Sequence, residues 1–415
     1  MFIQRGNPSE WFLSACLFVL FISPLTFAQT RPDDPLRAYL ITMGPGEELF
    51  ERFGHNAIWI HEPQATPEYR DLAFHYGLFD FSGDFYSRFA RGEMRYSMGV
   101  DDALATLDIY RKNDRMVWVQ ELSLSQSQIA QLRDFLWWNY QEQNRFYHYD
   151  PYRDNCSTRV RDALNKVTGG QVARQTRDVP TTHTYRWHTR RIVRENVWAY
   201  TGLECILGQP ADRPISQWDE MFLPDYLRRS LDGLAIVDDQ GNRVPLVKTQ
   251  DLLYQAKRAD VADAPPAWGK WYLLMGLATG GAMLALPQQG GNWPRRLLIA
   301  MIQAWAILIG GAGWILVGFA TLTSHWSTHY NENLLQCSPL AIAFLFCAIG
   351  AVRGRASSRR RAKVLAWLVL GSSVVGVAMK TMTTMDQSNW PMIAWVLPVH
   401  ASLAIMFTWQ LKGQQ

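Results

Sequence analysis

The feature that most constrains this chain is its C-terminal third, where long apolar runs are separated by short loops. Five runs, roughly 268–287, 297–323, 337–352, 364–380 and 391–410, each approach the ~20 apolar residues that a bilayer-crossing helix needs. The charges between them are uneven. Arg295 and Arg296 lie in the first loop, and Arg353, Arg355, Arg359, Arg360, Arg361 and Lys363 lie in the third. The second loop, Ser324 to Gln336, has no Lys or Arg. Basic loops stay in the cytoplasm, so loops one and three are expected inside, and loop two shares the outer side with residues 29–267.

The N-terminus agrees with that orientation. Arg5 precedes an apolar run from Trp11 to Phe27, and Thr26-Phe27-Ala28 followed by Gln29 has the pattern of a signal peptide cut after Ala28. Leu13-Ser14-Ala15-Cys16 has the look of a lipoprotein box, but most of the apolar run follows Cys16, whereas such a box ends the run. An uncut anchor would leave the topology unchanged. The expected organisation is a signal segment at 1–28, an exported domain at 29–267 closed by the linker Ala262 to Ala267, and an all-α domain of five transmembrane helices at 268–415. The expected location is the bacterial inner membrane, with the exported domain on the periplasmic side.

Composition excludes several classes. The 41 Lys and Arg against 37 Asp and Glu give only a mild basic balance, and many of the cations flank spans, so nucleic acid is not an expected partner. No Gly-rich phosphate loop, Cys-x-x-Cys pair or His-Glu-x-x-His appears, so neither a cofactor nor a metal is expected.

Within the exported domain, Pro35 to Ile41, His55 to His61, Leu72 to Phe79 and Asp114 to Leu122 read as strands. A hairpin-like pairing of the second and third brings His55 near His75. The aromatics from Phe81 to Met98 read as core or groove lining. Ser125 opens a helix with a capping box to Gln128 and an apolar face of Ile129, Leu132, Leu136 and Tyr140. Tyr185 to Arg194 mixes aromatic and basic residues, which suits either anionic lipid headgroups or a solvated helix face. Leu234 to Val244 carries a hairpin signal.

The chemistry gathers at Asp154-Asn155-Cys156-Ser157-Thr158, a loop that becomes a helix. Asp154 or Asn155 can cap it, and Val160, Ala163, Leu164 and Val167 recur on one face. Cys156 therefore falls in the first turn, where free N–H groups and the positive dipole end favour a thiolate. The best base is His55, which precedes it by 101 residues, a permuted order relative to papain-like enzymes. His75 is the candidate orienting group, with an ordinary sheet histidine as the alternative, and Asn56 is a weaker candidate. His148 ranks low. The Cys156 backbone N–H is the simplest oxyanion donor. Cys205 is the other cysteine of the exported domain, so a Cys156–Cys205 disulfide is the structural alternative.

At these residues the sequence resembles the bacterial Lnb-type lipoprotein acyltransferases, defined by an exported N-terminal domain on a multispan membrane tail. The resemblance rests on Phe53-Gly54-His55-Asn56-Ala57, Tyr76-Gly77, Phe79-Asp80-Phe81, Phe89, Gly92, Tyr96, Asp154 to Arg159 and Phe222 to Leu227. In the tail it includes Ser324-His325, Asn331, Leu334-Leu335 and Pro339. Members often carry Asn where this chain has His75. The exported domain is also similar to permuted NlpC/P60 and LRAT-like cysteine enzymes, which implies an α+β permuted papain-like core and a thioester intermediate. The family resemblance implies that Cys156 takes the sn-2 acyl chain from the diacylglyceryl group of a lipoprotein, and that the chain then passes to the lipoprotein's α-amine. The implied partners are diacylglyceryl-modified lipoproteins and membrane phospholipid. His325, His329 and Asn331, on the outer side, either line the substrate entrance or form a simple interfacial loop. A membrane-anchored cysteine amidase or peptidase, or a non-catalytic envelope assembly factor, is the alternative reading.

Overall fold

The computed structural model describes residues 34–79, 85–289, 291–382 and 384–409; the expected signal segment, Cys16, Asp80 and Phe81 lie outside them. From Pro35 on, the chain forms one compact unit. Six strands follow one another through its first part: β1 (Arg37–Met43), β2 (His55–His61), β3 (Asp71–Leu78), β4 (Arg95–Asp102), β5 (Val117–Leu122) and β6 (Phe146–His148). With a late strand, Val247–Tyr254, they build a seven-stranded antiparallel sheet in the order Val247–Tyr254, β5, β1, β2, β3, β4, β6.

Alternation along the strands divides the apolar residues between two faces. Ala38, Leu40, Ile58, Ile60, Phe74, Tyr76 and Met98 meet Ile129, Leu132 and Leu136 of the helix Gln126–Tyr140 and Val160, Ala163, Leu164 and Val167 of the helix Cys156–Val167. Ile41, Met43, Ala57, Ala73, Val117 and Val119 pack on the other face against Ala103, Leu107 and Tyr110 of the helix Ala103–Lys112. Each fully buried Leu or Ile contributes about 1.5–3 kcal/mol, so the stripe on the cysteine helix is what seats it on the sheet. The Ser125–Gln128 capping box forms. The expected hairpin forms as Ala235–Val237 paired with Arg243–Pro245.

Beyond Gly269 the structure is helical. Among the described residues, four helices are long and apolar enough to cross a membrane: Asn292–Leu322, Glu332–Val352, Ala356–Thr381 and Trp390–Thr408. The first of the five expected runs forms the helix Gly269–Ala285, continued by the 3-10 turn Leu286–Gln289, and is not one of these four.

The segments at 324–336 and 384–389 dock on the exported part. Gly208 N–H donates to the Ser327 carbonyl at 2.8 Å, and Ser324 N–H to the Arg91 carbonyl at 3.0 Å. Gln209 donates to Asp386 at 2.6 Å. The helix Tyr185–Ile192 is neither lipid-facing nor solvated. Arg186, 1% exposed, sits between Asp212 at 2.8 Å and Glu204 at 3.2 Å. Arg190 bridges Glu204 and Ser388. Buried acids downstream turn what reads as a basic face into a docking joint, because a buried cation persists only when paired.

Candidate active site

Cys156 opens the helix Cys156–Val167, and Asn155, not Asp154, caps it. The Asn155 side-chain oxygen accepts from Ser157 N–H at 2.9 Å and Thr158 N–H at 3.0 Å. Its amide donates to the carbonyls of Pro151 and Phe222 at 2.8 and 2.9 Å, which anchors the loop before the helix. Asp154 instead forms a two-pronged ion pair with Arg159, one prong 2.7 Å long.

The start of the cysteine helix lies across the ends of β2 and β3. The backbone N–H groups of Asn56, Ser157 and Cys156 face the Cys156 sulfur. From β3, a Cβ built on Gly77 would lie 3.7 Å from the Cys156 Cβ. Gly77 has φ +102° and sits where the β3–β4 register slips. Such a bulge re-aims a strand beside a site, and its positive φ favours glycine.

The β2–β3 pairing puts Ala57 opposite His75, and the rings of His55 and His75 meet edge to face with centroids 5.6 Å apart. His75 Nε2 donates to Asp101 Oδ2 at 2.6 Å. The ring of His55 also lies parallel to Tyr110 at 6.4 Å. Tyr96 and Tyr149 stack at 4.1 Å, with Phe79 against Tyr96 at 5.1 Å, forming an aromatic wall. Tyr149 and Tyr147 both feel the charge of a Cys156 thiolate.

The electrostatics favour a neutral thiol at Cys156 and a neutral imidazole at His55. Burial pushes the Cys156 thiol up to about 11, against the pull of the three N–H groups and of Arg115. The helix terminus expected to favour the thiolate is thus outweighed by desolvation. Burial, with His75 and Arg115 adding to it, holds the His55 imidazole well below its ordinary value. In this arrangement the proton rests on sulfur and the imidazole is unprotonated, the state a general base needs. Arg115 is 5% exposed, donates to Glu51 at 3.0 Å and to the Gly44 carbonyl at 2.9 Å, and covers the Tyr110 ring at 4.5 Å.

Asn56 is fully buried, and its side chain serves the opposite sheet face from the two rings. It donates to Thr42 Oγ1 at 2.8 Å and accepts from Ser157 Oγ at 2.9 Å. Asn331 is buried in the docking joint, its amide held by the carbonyls of Cys205 and Ile206 at 2.9 and 2.8 Å. His325 is half-buried, and a Cβ on Gly92 would come 3.2 Å from its ring. His148 is exposed on β6. Cys156 and Cys205 are not joined to each other. Asp101, Arg115, Tyr110 and Tyr149 were not expected in the site. The clearest sequence signal was Asp101-Asp102 at a strand-to-helix junction, since Asp102 caps the next helix and leaves Asp101 to the strand.

Among the described residues, one cluster away from Cys156 has metal-ligand chemistry: His183 Nδ1, His188 Nε2 and a Glu220 oxygen lie within 4.8 Å of one another. Here both imidazoles donate to the same Glu220 oxygen, at 2.7 and 2.8 Å.

The chain matches no curated protein and no solved structure. Residues 27–192, which include β1 to β6, Cys156 and both site histidines, match the Lnb N-terminal periplasmic domain. The chain is therefore a multi-pass membrane protein with a periplasmic N-terminal region that, over residues 27–192, is similar to the Lnb N-terminal periplasmic domain.

Proposed function

We propose that this protein is an inner-membrane transacylase that matures bacterial lipoproteins through a cysteine thioester. His55 takes the Cys156 proton as the sulfur attacks the sn-2 ester of a diacylglyceryl-cysteine. The sn-2 oxygen leaves with that proton, and the acyl chain stays on sulfur as a thioester. The lipoprotein's α-amine then attacks the thioester, His55 accepts its proton, and Cys156 is regenerated as a thiol. The product carries one ester and one amide chain, the lyso-form. One ester bond is replaced by one amide bond, and no water is consumed.

The observation that supports this reading is the half-buried Cys156 at a helix start, with the backbone N–H of Asn56, the residue after His55, facing its sulfur, and a His55 imidazole that burial keeps unprotonated. His75, held by Asp101, acts as the orienting group, and the histidine pair supports the NlpC/P60-like reading of the fold. The wall of Phe79, Tyr96 and Tyr149 suits an acyl chain and helps exclude water, so that the thioester goes to the amine instead of hydrolysis. Tethering at the membrane raises the effective concentration of a membrane-anchored substrate.

Parity supports five crossings: the loops at 324–336 and 384–389 dock on the periplasmic region, and in this reading Gly269 to Gln289 supplies the crossing before Asn292. The proposal is tested by incubating the protein with a synthetic diacylglyceryl lipopeptide and weighing the Cys156 peptide. A gain of one acyl chain that neutral hydroxylamine removes supports the thioester. Product formation with no acylation of Cys156, even after rapid quenching, contradicts it.

A further inference from the structure

We propose that Cys205 and Cys337 are joined as a disulfide that staples the periplasmic region to the membrane helices. Cys205 lies near the end of the helix Val197–Ile206, and Cys337 opens the irregular stretch that leads into the third long apolar run, 132 residues later. Their sulfurs are 4.0 Å apart. A disulfide needs about 2.05 Å, a closure within reach of side-chain rotation when the backbones are already set.

The backbones are set. Asn333 donates from its side chain to the Cys205 carbonyl at 3.0 Å, and its own carbonyl accepts the Cys337 N–H at 2.6 Å, so one residue holds both cysteines. Asn331 grips the Cys205 carbonyl from the same loop at 2.9 Å. On the far side, a Cβ on Gly313 would come 2.2 Å from the Cys337 carbonyl, so only glycine lets that backbone approach. The hydrogen bond from Cys337 lowers the Cys205 thiol, which favours it as the attacking sulfur.

The periplasmic side is where such bonds persist. The oxidant is a disulfide of the Cys-x-x-Cys oxidoreductase class. Cys205 attacks it to form a mixed disulfide, and Cys337 displaces the oxidoreductase. Two sulfurs here are oxidised, and the oxidoreductase leaves as a dithiol. The cross-link fixes the docking joint and leaves Cys156 as the free thiol of the periplasmic region, since Cys205 is no longer available to mispair with it.

The test is peptide mapping of the full-length protein, alkylated in intact cells at harvest, unfolded in a thiol-blocking agent without reductant, and digested. The staple gives a linked Cys205–Cys337 peptide that reductant splits, with Cys156 and Cys347 recovered alkylated. Recovery of Cys205 and Cys337 as alkylated peptides, or of Cys205 linked to Cys156, overturns it. A protease site placed in the linker at 262–267 gives a second reading. After cleavage, the two halves run together on a denaturing non-reducing gel and come apart in the Cys205→Ser variant. Separation of the wild-type halves without reductant overturns the proposal.

Discussion

Ser157 Oγ shares its hydrogen between Asn56 Oδ1 at 2.9 Å and the Met221 carbonyl at 2.7 Å, and both asparagine and serine are fully buried. Each of the two residues directly follows a catalytic candidate: Asn56 follows His55, and Ser157 follows Cys156. The bond is a bracket between strand and helix that helps set where His55 and Cys156 stand. The backbone N–H groups of both residues face the Cys156 sulfur, so in the proposed mechanism the side-chain bond acts by positioning.

Removing either side of the bracket leaves a buried polar group unpaired. Asn56→Ala or Ser157→Ala should therefore cost about 1–3 kcal/mol of stability. In a double-mutant cycle the pair should cost less than the sum of the singles, because they share one contact. Urea unfolding of the detergent-solubilised protein measures this. Activity should fall mainly in kcat, with little change in KM, as expected when the defect is alignment.

The neutral resting pair sets the pH behaviour. With its thiol near 11, Cys156 should react slowly with iodoacetamide at pH 7 and faster as the pH rises toward that value. Turnover should behave differently. The His55 pKa is lowered, so the base stays unprotonated below its ordinary 6.5, and the acid limb of kcat/KM should lie well under that pH. Arg115 lowers both groups, so Arg115→Gln should move the alkylation profile to higher pH and the acid limb up toward 6.5.

Gly77 has two reasons to be glycine. Its φ of +102° costs an L-residue roughly 1–2 kcal/mol. Its side-chain direction leads to Cys156, 3.7 Å away at the Cβ. Gly77→Val should lose more than 100-fold in activity, while cooperative unfolding persists at reduced stability. Thermal unfolding together with a thiol-accessibility assay separates the two effects, because the valine should also shield Cys156 from alkylation.

Asp101 is 61% exposed, while His75 is mostly covered. Solvent screens the carboxylate, so Asp101→Asn should cost roughly tenfold in kcat, far less than the ~10⁴ seen for a buried orienting carboxylate. His75→Ala should cost more, and His75→Asn should restore part of the loss, because an amide can still hold the His55 ring. A His75→Asn variant no better than His75→Ala would remove the orienting role.

Much of this was legible in the chain because the signals were local. The Cys156 helix, its apolar stripe and the Ser125 cap are written in spacing, and β2 and β3 are strongly patterned runs. His55 and His75 meet because a short connection joins those strands. What was hidden depends on partners far away in sequence. β4 and Val247–Tyr254 were not expected, since Arg95–Asp102 is half polar and the late strand is largely exposed at the sheet edge. The basic run at Tyr185 to Ile192 gave no hint of burial, because Glu204, Asp212 and Ser388 lie on other elements. The thiolate expectation failed for the same reason: a helix end is visible in sequence, and the desolvation around it is not.

The most direct measurement of the central claim is the mass of the N-terminal peptide of a reporter lipoprotein in cells lacking their own N-acylation. The reporter is expressed with this protein or with its Cys156→Ala variant. The account predicts a lyso-form with one glyceryl ester and one amide chain, made by the wild type and absent with the variant. A diacylglyceryl form with a free amine, unchanged while the wild-type protein is present and folded in the membrane, would contradict it.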